Sequence, residues 1–348
     1  MKGRVVAIEP RPDGAGDQVA LMVDGRLEDL LIDPPEGGAP SPGAIYRGVL
    51  DRPMKGMGAA TVTLGNGQKG FLRDAKGISP GTALLVQVTS HAEPGKAAPV
   101  TPRLTFKSRY AIVTPGAPGL NVARKIRDEE ERERLDLIAR EEMEGAAGLG
   151  LVLRTASDGA DEDAIRADVA EMRALAEQVL ADPGRTAELL VEGPGAALVA
   201  WRDWSEPAPD LVADQPGSFD AYGVWDAIDD VQRARVRLKS GWMMVEPTTA
   251  LIAIDVNTGG DLSPAAGLKT NLAAIAELPR ALRLRGLAGQ ITVDLAPATK
   301  KQRIELEAAF RRAFRNDPVE TRFIGWTPLG HAELLRKRER LPLREVLA

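Results

Sequence analysis

Two apolar runs in the last third of this chain each carry one carboxylate near their finish. They are ALIAIDV (250–256), with Asp255, and GQITVDLAP (289–297), with Asp294. A charge on an apolar strand is costly unless it is paired or binds a cation. With a helical stretch (265–285) between them, the two runs read as strands of an α/β sheet, and the carboxyl ends of such strands are where sites are usually built. Two carboxylates brought together repel, and a hard divalent cation resolves that repulsion. Mg²⁺ takes one or two carboxylates, and water and phosphate oxygens complete its shell. Asn257 lies two residues beyond Asp255, so on a regular strand it shares that face and its amide can orient the carboxylate or a phosphate. Either aspartate alone reads as well as a strand or helix cap; the pair carries the argument.

The rest of the composition narrows the chemistry. The 348 residues include no cysteine, which removes disulfides, thiolate nucleophiles, Cys-ligated zinc and iron–sulfur clusters. With only His91 and His331, the composition also argues against a His-rich metal site and most His-based acid–base schemes. The net charge of −5 hides an asymmetry: residues 261–348 hold 16 Lys/Arg against 10 Asp/Glu, and the remainder hold 29 against 40. A basic C-terminal segment suits a polyanionic partner, or simply a solvated helix pair. The N-terminal MKGRVVAIEPRPDG has no apolar signal region, and no stretch nears the roughly 20 apolar residues of a membrane span. The chain reads as soluble and cytoplasmic.

Along the chain, VVAIE, VALMV and LEDLLI alternate as strands before a Pro/Gly-rich junction at 33–43. From 45 to 91, short strands broken by Gly-rich turns predict a small β-barrel. Residues 108–122 return to strand character. The pattern then predicts helices at 127–144 and 161–182, with a buried strand, GLGLVLRTAS, between them. ELLVEGPGAALVAWRDW (188–204) reads as strand–turn–strand, and 205–217 as a Pro/Asp-rich loop. Beyond 218 come MMVEP, ALIAIDV, the helix of 265–285 with a kink expected at Pro279, and ITVDL. Two basic amphipathic helices, 300–317 and 331–341, complete the reading. Neither G-x-G-x-x-G after a strand nor a P-loop motif is present, which disfavours a nucleotide-binding enzyme.

The segments SGWMMVEPTTALIAIDVNTGGDL and LKTNLAAIAELPRALRLRGLAGQITVDLAP resemble the catalytic region of the ribonuclease E/G family. WTPLGHAELLRKR resembles its closing segment. IYRGVL and AATVTLGNGQKGFL resemble its S1 RNA-binding domain, and SRYAIVTPGAPGLNVARKI with GLVLRTAS its RNA 5′-end sensor. GSFDAYGVWDAID matches a further family stretch. The implied architecture is α+β and multidomain. It comprises N-terminal strands of a truncated ribonuclease H-like subdomain (1–43), an S1 (OB-type) barrel (44–106), a 5′-sensor region (107–184), the rest of the ribonuclease H-like part (185–237) and a DNase I-like α/β catalytic domain (238–348).

Carried over by position, the resemblance implies Asp255 and Asp294 as Mg²⁺ ligands, with Asn257 positioning Asp255 or the scissile phosphate. Arg154 and Thr155 match a 5′-monophosphate pocket, for which a guanidinium fork and a hydroxyl are suitable; a strand-end surface ion pair is the alternative for Arg154. Ile112 falls where an apolar residue meets the first base. Arg124 and Lys125, and Arg280, Arg283 and Arg285 beside the metal site, are candidates for backbone phosphates; a solvated helix face is the alternative for the last three. Phe71 matches a base-stacking aromatic of the S1 domain, with Lys96 near a family lysine. The implied activity is Mg²⁺-dependent hydrolysis of single-stranded RNA, stimulated by a 5′-monophosphate. A catalytically weakened RNA-binding or regulatory protein is the competing expectation.

Departures motivate that alternative. Thr61 replaces the second S1 aromatic, Pro297 stands where the family has another aspartate, and Thr249 replaces a glutamate. The loop after Asn257 is shortened to GGDLSPAAG. The cysteines of the family's zinc link are missing, so no zinc is expected, and a monomer or a dimer not linked by zinc are equally open.

Overall fold

The computed structural model describes all residues except Met1, Glu36, Lys55, Leu262, Pro264 and Ala348. Glu36 belongs to the Pro/Gly-rich junction, and Leu262 and Pro264 to the shortened loop after Asn257, so those positions of both expectations lie outside the described residues. Two compact units are present, one formed by Met1–Glu36 and Pro209–Ala348, the other by Gly37–Ala208.

The first unit opens with three antiparallel strands, β1 (Arg4–Pro10), β2 (Asp17–Val23) and β3 (Arg26–Ile32). The chain then enters the second unit. There β4 (Ile45–Pro53), β5 (Ala60–Gly65), β6 (Gln68–Leu72), β7 (Ala83–Val88) and β8 (Ala98–Thr101) form the expected barrel, closed where β4 pairs with β7. Inward positions recur every second residue, as in Ala60, Val62 and Leu64, and fill the barrel with Leu50, Leu72, Val86 and Val100.

A second sheet follows, from β9 (Phe106–Lys107), β10 (Ala111–Pro115), β11 (Gly119–Val122) and β12 (Leu149–Leu153). Helices α1 (Glu129–Glu142) and α2 (Glu162–Leu180) pack on it through Leu135, Ile138, Ile165 and Val169. Each helix begins where an aspartate, Asp128 or Asp161, accepts a backbone N–H of the first turn. β13 (Glu188–Val191) adds to the barrel beside β4. The following residues correct the strand–turn–strand reading: α3 (Ala196–Asp203) is a helix. A run such as AALVAW is apolar enough for either state, and periodicity alone does not separate them.

Back in the first unit, β14 (Leu211–Ala213) runs parallel to β1, giving the order β14-β1-β2-β3; the expected loop at 205–217 thus contains a short strand. α4 (Ser218–Ala221) and α5 (Val224–Gln232) cover that sheet through Phe219, Val224 and Ile228. The other sheet of this unit is built from β15 (Arg235–Arg237), β16 (Trp242–Pro247) and β17 (Ile252–Asn257), then, after α6 (Ala266–Leu284), from β18 (Gly289–Asp294). α7 (Lys300–Phe314), β19 (Thr321–Trp326), β20 (Ala332–Arg336) and the short α8 (Leu343–Val346) complete the chain. Among the described residues the strand order is β15-β16-β17-β18-β20-β19.

One expectation is corrected here. Residues 331–341 do not form a helix: β20 is a strand between β18 and β19, with Ala332, Leu334 and Arg336 buried in alternation. Arg336 satisfies its charge inside the unit against Asp317, at 2.9 Å, so its burial breaks the look of a solvated basic helix. The expected helix of 265–285 is present as α6, Ala266–Leu284, with Pro279 inside it.

Candidate active site on the exposed face of the sheet of β17 and β18

Alternation along β17 and β18 decides which groups meet. Ile252, Ile254, Val256, Ile291 and Val293 face α6 and α7, where they pack with Leu278, Leu282, Leu306 and Phe310. Each such side chain contributes about 1.5–3 kcal/mol by leaving water. Their neighbours Asp255 and Asp294 must therefore rise from the other face, and both are exposed. β17 and β18 run parallel with Asp255 directly beside Asp294. Adjacent strands are about 4.8 Å apart, so the two carboxylates stand as neighbours. Asn257 shares the face, and its Nδ2 donates to Asp255 Oδ2 at 2.6 Å. The trio expected from the sequence is thus brought together.

One residue that the sequence reading had not placed joins it. His331 Nε2 lies 3.7 Å from Asp294 Oδ1. β18 and β20 are antiparallel with Val293 opposite Ala332, and one further step brings His331 to Asp294. The sequence signal was weak, a lone histidine before a segment that reads as a helix.

The rims of the site are pinned from α6. Thr270 and Asn271 are wholly buried, unusual for such residues on a helix. Asn271 donates to the Ala296 carbonyl and accepts from the Ala296 N–H, both at 2.9 Å, which fixes the chain just after Asp294. The Thr270 hydroxyl lies 3.2 Å from that of Ser240, holding the β15–β16 turn. In that turn Gly241 has φ +71°, and a Cβ there would stand 2.1 Å from the Asn257 carbonyl oxygen. Only glycine lets the turn approach Asn257 so closely.

Two exposed carboxylates on neighbouring strands suit a divalent cation whose remaining shell is water and phosphate oxygen. They do not suit a cage made by protein alone. Among the described residues no group of three or more His, Asp or Glu could hold an ion.

The α6 arginines are engaged elsewhere. Arg283 is buried among Asp29 at 3.2 Å, Glu28 at 3.0 Å and Asp317 at 3.5 Å. Arg280 donates to the Leu27 carbonyl and to Glu277. Arg285 donates to the carbonyls of Ala281 and Arg233, and burial, with Arg280 nearby, pushes its guanidinium down to about 10. All three serve the packing of this unit in the structure.

In the second unit, Arg154 donates to the Ser108 and Arg109 carbonyls and pairs with Asp203 at 2.6 Å. Lys107 and Arg202 reach the same carboxylate at 3.2 and 2.8 Å. Burial raises the Asp203 carboxyl, but Arg202, Lys107 and Arg154 together bring it down to about 2. Thr155 next to Arg154 is exposed, and Ile112 is half-buried on β10. Arg124 and Lys125 are exposed after β11. On the barrel, Phe71 is half-buried and lies opposite Thr61, whose hydroxyl donates to Asp51. Lys96 pairs with Glu93 at 2.6 Å and, with Thr61, Gln68 and Lys69, lines an open groove; Phe71 is not part of that lining.

A family description, the ribonuclease E/G family, matches residues 105–216 and 208–339. The chain belongs to the ribonuclease E/G family. Ribonuclease E of Nostoc sp. is 28% identical over 376 residues, covering 92% of this chain and 54% of that protein. Ribonuclease G of Escherichia coli K12 is 27% identical over 391 residues, covering 95% of this chain and 79% of the relative. Ribonuclease G of Haemophilus influenzae is 28% identical over the same shares. The chain therefore spans about half the length of the ribonuclease E relative and most of the ribonuclease G relatives. Among the described residues no helix is long and apolar enough to cross a membrane.

Proposed function

We propose that this protein is an endoribonuclease that hydrolyses phosphodiester bonds in single-stranded RNA with the help of Mg²⁺. The observation that carries the reading is the register of β17 and β18, which sets Asp255 beside Asp294 on an uncovered sheet face with Asn257 bonded to Asp255. The naming of the relatives as ribonucleases E and G supports the same reaction class.

Asp255 and Asp294 would hold the ion. When bound, it supplies positive charge to the scissile phosphate and lowers the pKa of the attacking water. The protein's own part is orientation. Asn257 fixes one Asp255 oxygen through its amide, leaving the other oxygen to face outward. Asn271 fixes the backbone behind Asp294, so neither carboxylate must be ordered at the moment of reaction. His331 stands beside Asp294 and can bond a phosphate oxygen or the leaving hydroxyl.

The Arg154 cluster supports a preference for a 5′-monophosphate. Three cationic groups, Arg154, Lys107 and Arg202, surround the single carboxylate of Asp203, a surplus that a terminal phosphate complements. Thr155 offers a hydroxyl next to it. Phe71 and Lys96 of the barrel, and Ile112, Arg124 and Lys125 of the neighbouring sheet, are the proposed contacts to bases and backbone.

The test is cleavage of an AU-rich single-stranded oligoribonucleotide carrying a 5′-monophosphate or a 5′-hydroxyl, with Mg²⁺ or with EDTA. Metal-dependent internal cuts, faster for the monophosphate, are expected. Binding without cuts would replace the enzyme with an RNA-binding relative, the reading favoured by the loss of an aromatic at Thr61.

A further inference from the structure

The uncovered sheet face carries more than the aspartates. Its strand pairing lines residues up in two rows across the sheet. One row runs Arg235, Met244, Asp255, Asp294; the next runs Arg237, Trp242, Asn257. Directly opposed residues on neighbouring strands project to the same side, so both rows share the face of the candidate site. Trp242 stands next to Asn257, and Arg237 is one strand further, about 10 Å from Asn257 at the usual strand spacing.

These side chains are in an unusual state for their position. Trp242 is half-buried, and the Arg235 guanidinium lies over its ring, 4.5 Å from the centroid. Arg235 and Arg237 are both exposed on the edge strand β15. Among the described residues neither guanidinium has a hydrogen bond or an ion pair, whereas those of Arg280 and Arg283 pair with carboxylates and that of Arg285 donates to backbone carbonyls. The guanidinium is a flat cation, and on the indole it holds the position that a flat base would take.

We propose that Trp242, Arg235 and Arg237 form a nucleotide-seating platform beside Asp255 and Asn257. A base stacks on the indole in place of the Arg235 guanidinium, and the released guanidinium together with Arg237 meets the phosphates flanking that base. The RNA then runs across the strands, with its scissile phosphate over Asp255 and Asp294. Aromatic stacking of this kind tolerates any base, because every base has a flat face. Trp242 is thus a positioning residue for the strand and not for one sequence. The inference rests on the proposed ribonuclease reading for its ligand, single-stranded RNA.

The test measures binding rather than cleavage. A fluorescent single-stranded 12-mer oligoribonucleotide is titrated with the intact protein in EDTA over a range of salt concentrations. Trp242→Leu keeps an apolar side chain and loses the aromatic face; its affinity should fall roughly ten-fold or more, the worth of one stacked base. Trp242→Tyr should restore most of that loss, which a merely structural role for the ring would not require. Arg235→Gln with Arg237→Gln should lower the slope of log affinity against log salt by about 1.4, for two lost phosphate contacts to a single strand. Leu, Tyr and wild type binding alike, with an unchanged salt slope, would overturn the platform. Were cleavage still metal-dependent in that case, the ribonuclease reading would stand without it. Were these effects seen in a protein that never cleaves, the platform would stand and the enzyme reading would fall. A wild-type protein that binds no RNA would defeat both.

Discussion

Two sets of arginines in one unit illustrate what a basic segment can mean. Arg280 and Arg283 on α6, and Arg285 just after it, lie in the stretch RALRLR, which the sequence presents as a basic face beside the Asp255–Asp294 pair. Arg235 and Arg237 lie in RVR, a short segment without a recognisable motif. In the structure the helix set is drawn inward to Glu28, Asp29, Glu277, Asp317 and backbone carbonyls, while the strand set stays outward on the face of Asp255 and Asp294. An arginine whose charge nearby carboxylates already balance is less available to a polyanion, and those partners are usually remote in sequence. Asp29 is more than two hundred residues from Arg283.

Several variants separate the two sets. The largest effect is expected for Arg283→Met. It removes a buried cation between Asp29 and Asp317, although Arg340 and Arg336 still reach those carboxylates. A loss of about 3 kcal/mol, the low end for a broken buried pair, should appear in urea unfolding of the intact protein. Stability within about 0.5 kcal/mol of wild type would mean that the network is not what holds α6 to β3.

A second effect concerns the other unit. Burial pushes the His91 imidazole down to about 4, and its Nδ1 has no hydrogen-bond partner among the described residues. The folded state thus keeps His91 neutral where the unfolded chain would protonate it near 6.5. The unfolded chain binds the extra proton, so the stability is complete above about pH 6.5 and is lost as pH falls toward 4. The loss is about 3 kcal/mol at most. Denaturation at pH 7 and pH 4.5 measures it, and His91→Phe should flatten the difference. An identical pH dependence in that variant would assign the loss to carboxylates instead.

The smallest effect is on the strand set. Arg235→Gln with Arg237→Gln should cost no more than about 1 kcal/mol in unfolding, the worth of the exposed Arg235–Trp242 cation–π contact, since among the described residues neither arginine pairs with a carboxylate. A clear destabilisation would mean that β15 depends on these side chains and would weaken the contrast with α6.

The sequence made the β17–β18 pair legible because an apolar alternation leaves a carboxylate only one direction to point. The five-strand barrel was legible from short strands and Gly-rich turns. The pairing that sets Thr61 opposite Phe71 was not, since register depends on partners rather than on either strand alone. β20 was misread because RKRER resembles a solvated helix face; burial of Arg336 against Asp317 cannot be seen from residues 331–341. The same limit hid His331, which reaches Asp294 only through the antiparallel register of β18 and β20. At Arg154 residue type and place were legible, but the Asp203 that engages it comes from α3, a segment read as a strand.

The proposal that the adjacent carboxylates of β17 and β18 hold an ion for RNA cleavage rests on their register. It is tested most directly by following cleavage of a 5′-monophosphorylated single-stranded oligoribonucleotide across a Mg²⁺ titration, for wild type, Asp255→Asn and Asp294→Asn, with unfolding curves to confirm folded protein. Metal-dependent cleavage that disappears in both variants while the fold persists is the expected result. Undiminished cleavage in either variant would place the chemistry elsewhere.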